Sequence, residues 1–136
     1  MACGMLIQAV VDHAQLASRA RDFAIAVARI ARTLPDDLVA RHAVSQLIRA
    51  SASVAANYRA TQLARSRKEF IARIGIVIEE ADECRFWMEY LEATSSSART
   101  DLAPLQDEGR QLLKIFVASR KTTCRNLARS DEPLAR

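Results

Sequence analysis

The chain has 136 residues but only 3 glycines and 3 prolines. Tight turns consume both residue types, so an all-β fold with its many turns is excluded. Gly4, Gly75 and Gly109 stand far apart, which removes a Gly-rich phosphate loop. Aromatic residues make up only 5% of the chain, so its core must be aliphatic. Cys3, Cys84 and Cys124 are odd in number and form no CxxC pair, which argues against a zinc site or a dithiol redox motif. Free thiols fit a reducing, cytoplasmic setting. No run approaches the length of a membrane-spanning helix. The first residues lack a basic segment before their short apolar run and meet Asp12 early, unlike a secretory leader.

What the chain does hold is apolar and charged. Half of it is hydrophobic and 26% is charged, enough for one packed domain. The formal charge is +4, from 20 basic and 16 acidic residues, and 17 of the basic ones are arginine. Arginine grips phosphate and carboxylate bidentately, where lysine acts as a point charge. The charge is also uneven. Residues 1–78 carry 11 basic and 5 acidic side chains, and residues 93–136 carry 8 and 5. Between them, residues 79–92 hold Glu79, Glu80, Asp82, Glu83, Glu89 and Glu92 against Arg85 alone.

Apolar spacing predicts four helices. Leu16, Ala20, Phe23, Val27, Ile30 and Leu34 step by fours and threes over 15–34, and Pro35 stops the helix. Ala40, Val44, Leu47, Ser51, Val54, Tyr58 and Thr61 keep the rhythm over 37–64, with Ile48 and Ala55 widening the stripe. Small residues fill the middle of this helix and favour close helix approach. Ser66 and Glu69 form a capping box, in which Glu69 is expected to reach back to Ser66. Phe70, Ile74, Val77, Ala81, Cys84, Met88 and Leu91 then mark a third helix to about 93. Ile71, Ile78 and Trp87 lie beside its seam and are assigned to an oligomer surface, core packing being the alternative. Asp101 is the expected cap of the fourth helix, with Pro104 in its first turn. Leu102, Leu105, Gly109, Leu112, Phe116, Ser119 and Thr123 carry the seam to about 128. The expected fold is all-α, an antiparallel up-down-up-down four-helix bundle over 15–128. An N-terminal extension covers 1–14 and a disordered tail 129–136.

Motifs for chemistry are scarce. Glu80 and Glu83 have i, i+3 spacing, but a di-iron bundle needs Glu-x-x-His, and His13 and His42 stand elsewhere. Ser51 and Ser53 sit mid-helix without a His or Asp partner, and Cys84 occupies a seam position. No enzyme activity, metal or cofactor is therefore expected. A hairpin turning near residue 65 sets Arg49 opposite Glu80 and Glu83. Asn57, near the seam, needs a polar partner. Arg49, Ser53, Asn57, Glu80 and Glu83 are thus a candidate structural polar network. Arg59, Arg65, Arg67, Lys68 and Arg73 gather at one end of the hairpin as candidate phosphate contacts. Aromatic residues are too few there for base stacking.

Three elements in order resemble motifs of the bacterial four helix bundle protein family, some of whose members are encoded in intervening sequences of large-subunit ribosomal RNA genes. They are Leu47 to Asn57, Ser66 to Arg73, and Ile78 to Met88. The resemblance spans about residues 15–125. Where members carry acidic residues just after the asparagine, this chain has Tyr58-Arg59-Ala60-Thr61, which makes that end more basic. The resemblance implies a homopentameric barrel of bundles. It also implies kinship with the accessory variability determinant of diversity-generating retroelements, a basic pentamer that binds nucleic acid and a reverse transcriptase. The expected partners are further copies of the chain with RNA or DNA, or else a protein partner, and no membrane.

Overall fold

In the computed structural model, described for residues 12–95 and 99–131, the chain forms four α-helices. They are α1 (His13–Ala31), α2 (Leu38–Thr61), α3 (Arg67–Thr94) and α4 (Arg99–Asp131). Each packs on its neighbours in sequence, and α4 returns to α1 through the slightest of the four interfaces. The backbone of α1 stays clear of α3, and that of α2 clear of α4, so those pairs lie on diagonals of an up-down-up-down bundle.

The helix starts have local causes. The Asp12 carboxylate accepts from the backbone N–H groups of Ala14 and Gln15, and that of Asp37 from Ala40. The Ser66 hydroxyl accepts from Glu69 N–H at 3.0 Å. Glu69, however, reaches past Ser66 to the Arg65 N–H at 2.7 Å, while its other oxygen holds Arg73 at 2.6 Å. Its carboxyl is held below the ordinary range, first by the Arg65 N–H and then by Arg73. The fourth helix begins earlier than Asp101, at Arg99, so Pro104 falls in its second turn. It also runs to Asp131, past the expected boundary of the tail, and residues 132–136 lie outside the described residues. Most of the expected N-terminal extension lies outside them too.

The core follows the four-three seam. Leu16, Ala20, Phe23 and Val27 of α1 meet Leu47, Val54 and Tyr58 of α2, Ile74, Val77 and Met88 of α3, and Leu102, Leu112 and Phe116 of α4. Ala43 and Ala50 are fully buried. Such small residues let α2 and α3 approach, and theirs is the most extensive helix pairing. Tyr58 closes one end of the core. Its ring lies 5.3 Å from that of Phe116, and its hydroxyl is 2.8 Å from His13 Nδ1. Burial pushes the phenol up to about 12.

Ile71, Ile78 and Trp87 do not stand out as a free surface. All three are half-buried, and Ile78 and Trp87 pack against the core. The apolar side chains that α3 leaves in solvent are Ile76 and Phe86.

The polar network divides into two. Arg49 donates to Glu80 at 3.3 Å and to Glu83, crossing from α2 to α3. Trp87 Nε1–H also donates to Glu83, at 3.2 Å. Asn57 instead turns along its own helix, donating to the backbone oxygen and hydroxyl of Ser53, both at 2.9 Å. One helical turn separates the two residues, so the amide needs no partner across the interface. Arg49 therefore carries the interhelical register, and its hydrogen bond holds the Glu83 carboxyl below the ordinary range.

Two outcomes follow from this packing. A depressed carboxyl pKa gives stability that is present above the unfolded value of about 4.3 and lost as pH falls through the folded value. Wild type should therefore exceed Glu83→Gln in thermal midpoint at pH 7, with the gap closing towards pH 3. A pH-independent gap contradicts the pairing. Gly75 sits mid-α3, and an added Cβ there meets nothing within 4 Å. Gly75→Ala should raise stability by about 1 kcal/mol in denaturant unfolding.

Candidate nucleic-acid interface

The turn between α2 and α3 sets Arg59, Arg65, Arg67, Lys68 and Arg73 at one end of the bundle. Two of them are tied down. Arg73 donates to Ala60 O at 3.0 Å and to Glu69. Arg67 reaches across to α4, donating to Asn126 O at 3.2 Å and Ser130 Oγ at 2.5 Å. The side chains of Arg59, Arg65 and Lys68 make no ion pair among the described residues.

The Arg67 bridge brings in residues that the sequence did not single out. Because α4 continues past the bundle, its final turns lie beside the α2–α3 turn. The second half of this helix carries Lys114, Arg120, Lys121, Arg125 and Arg129, and residues 114–130 contain no acidic side chain. None of the five makes an ion pair among the described residues. The signal was present in the sequence, but Asp101, Asp107 and Glu108 earlier in the helix mask it when the charge is averaged. Two stretches far apart in the chain thus form one basic end, and the Glu69 carboxylate beside it is engaged by Arg73.

An open groove of about 780 Å³ runs between them. Among the described residues it is bordered by His13 at the start of α1 and by the last turns of α4. No described residue of α4 after Phe116 is buried. The lining mixes hydroxyls, amides and cations, among them Thr61, Arg65, Arg67, Thr122 and Asn126. Ser119 also lines it, and its buried hydroxyl lacks a hydrogen-bond partner in the described structure. A polar groove flanked by uncommitted guanidinium groups offers charge-assisted hydrogen bonds to phosphate oxygens.

Nucleophiles are poorly placed for chemistry. Burial pushes the Cys84 thiol up to about 12, and the Ser51 hydroxyl donates to Ile48 O at 3.1 Å. Among the described residues, no group of three or more His, Cys, Asp or Glu side chains could hold a metal ion. No described helix is long and apolar enough to cross a membrane.

The fold has a solved counterpart. A crystal structure of a protein of unknown function from the S23 ribosomal protein family of Bacteroides thetaiotaomicron superposes with a TM-score of 0.72. It is 23% identical, and the match covers 82% of this chain and 99% of that one. No match was found among curated proteins. The family model described as 23S rRNA-intervening sequence protein matches residues 12–118, nearly the whole of the described bundle. The chain belongs to the 23S rRNA-intervening sequence protein family.

Proposed function

We propose that this protein is a non-enzymatic homo-oligomer, pentameric as its family resemblance implies, that binds RNA or DNA through the basic end of each bundle. The observation that carries the reading is the convergence of Arg59, Arg65 and Lys68 with Lys121, Arg125 and Arg129, none of which has an acidic partner among the described residues. Phosphate contact is the mechanism. Each neutralised phosphate releases counterions, so binding is driven by charge and is weakened by salt. Repetition of the basic end in an oligomer multiplies modest contacts through avidity. The buried Cys84 thiol and the self-bonded Ser51 hydroxyl support the non-enzymatic part, and the free thiols of Cys84 and Cys124 a cytoplasmic setting.

A second reading has one observation in its favour. The acidic band leaves Glu79, Asp82 and Glu89 exposed around Phe86, which suits contact with another protein chain. On that reading the protein is an interaction scaffold that binds no nucleic acid.

Fluorescence anisotropy with a labelled RNA or DNA duplex separates the two. Binding should weaken steeply with salt. Arg125→Glu and Arg129→Glu should each flatten the slope, by about 0.9 for every B-DNA phosphate that is no longer neutralised. Arg110→Ala, which removes a side chain already paired with Asp107 at 3.5 Å, should leave the slope unchanged. Absence of binding at low salt would falsify the nucleic-acid reading and leave the scaffold.

A further inference from the structure

The groove beside the α2–α3 turn carries more than charge. Its lining comes from separate parts of the chain: the start of α1, the turn with the first residues of α3, and the last turns of α4. Arg67 ties the last two together through Asn126 O and Ser130 Oγ, which holds the groove's two sides at a set distance. The volume of about 780 Å³ lies in the range of sites for small organic ligands, the size class of one nucleotide.

Three kinds of group line or flank it. Two rings come from α1 and α3. His13 and Phe70 meet edge to face, with centroids 6.4 Å apart and planes at 74°. The Tyr58 hydroxyl, 2.8 Å from His13 Nδ1, steadies the imidazole, and Phe70 packs against the core. The sequence places only Tyr58 and Phe70 near the turn. Tyr58 is fully buried against Phe116, and the fold supplies His13 from another helix instead. On α4, Ser119, Thr122 and Asn126 share one face at i, i+3, i+7 spacing. The Ser119 hydroxyl is buried without a hydrogen-bond partner among the described residues. The Thr122 hydroxyl and the Asn126 side-chain amide make no hydrogen bond among them either. The cations are Arg65, in the lining, and Lys68, one turn into α3, and neither has an ion pair among the described residues.

A phosphate alone would need only the cations. Aromatic rings beside neutral donors and acceptors suit a nucleobase. In a duplex the base faces are stacked and the pairing edges are taken, so only an unpaired base can use such a lining. We infer that the groove takes one unpaired nucleotide from a bulge, loop or single strand. Its base lies against Phe70 and His13, and its edge hydrogen-bonds to Ser119, Thr122 and Asn126. Its phosphate meets Arg65 and Lys68. The bundle thereby selects single-stranded or irregular nucleic acid, while the cations of α4 hold the flanking backbone.

This inference rests on the nucleic-acid reading above, and two probes separate their failures. Fluorescence anisotropy compares a perfectly paired RNA stem with the same stem carrying one bulged uridine. The bulged stem should bind about tenfold more tightly, the gain expected of one base stacked on an aromatic ring. Phe70→Leu, which stays apolar but removes the ring, should bring the ratio of the two affinities close to one. Asn126→Ala, at an exposed position that the fold does not depend on, should also lower it. Failure to bind either stem overturns both readings. Equal binding of the two stems by wild type, or a ratio that both substitutions leave intact, overturns the groove assignment and leaves charge-driven binding standing. A 5-bromouridine at the bulge gives an independent reading. Irradiation should link it to residues of the groove lining, and links confined to other surfaces of the bundle contradict the site.

Discussion

The close approach of α2 and α3 is the constraint on which the rest depends. It is favoured by the small buried side chains of Ala43 and Ala50. Its register is fixed by Arg49, which reaches both Glu80 and Glu83. Sliding α3 by one turn would separate the guanidinium from one carboxylate and move the seam residues off their partners. The same register sets the Phe86–Trp87–Tyr90 aromatic group at one end of the hairpin and the basic α2–α3 turn at the other.

The second constraint is unequal helix length. The hairpin of α2 and α3 is matched by a long α4 and a short α1. Among the described residues, four helices surround the core only along part of its height. Tyr58 seals the core where α1 begins, with its hydroxyl against His13 and its ring on Phe116. Beyond that seal α4 continues alone beside the α2–α3 turn, held there by Arg67, and the groove and the basic end both result.

Much of this fold was legible in the sequence, because burial in a bundle is periodic. Most of the seam residues are buried, and Ser66 caps its helix as its residue type requires. The misses have physical reasons. On α2, Ala43 takes the buried position while Val44 is half-covered, a shift too small for spacing alone to resolve. Asn57 found its partner one turn back at Ser53, a local hydrogen bond that no argument from hairpin register anticipates. The phosphate candidates near the turn were visible as a run, but the α4 half of the basic end was not. Its membership depends on which helix end lies beside which, a property of the tertiary fold.

The proposed function rests on a hairpin of fixed register and on one basic end. Its central claim is that the basic end is where nucleic acid is held. Amide hydrogen exchange with and without a saturating RNA or DNA duplex tests it most directly. Slowed exchange confined to residues 62–68 and 118–130 is the predicted result. Protection that falls on the outward faces of α1 and α3 instead, or no change at the basic end, would contradict it.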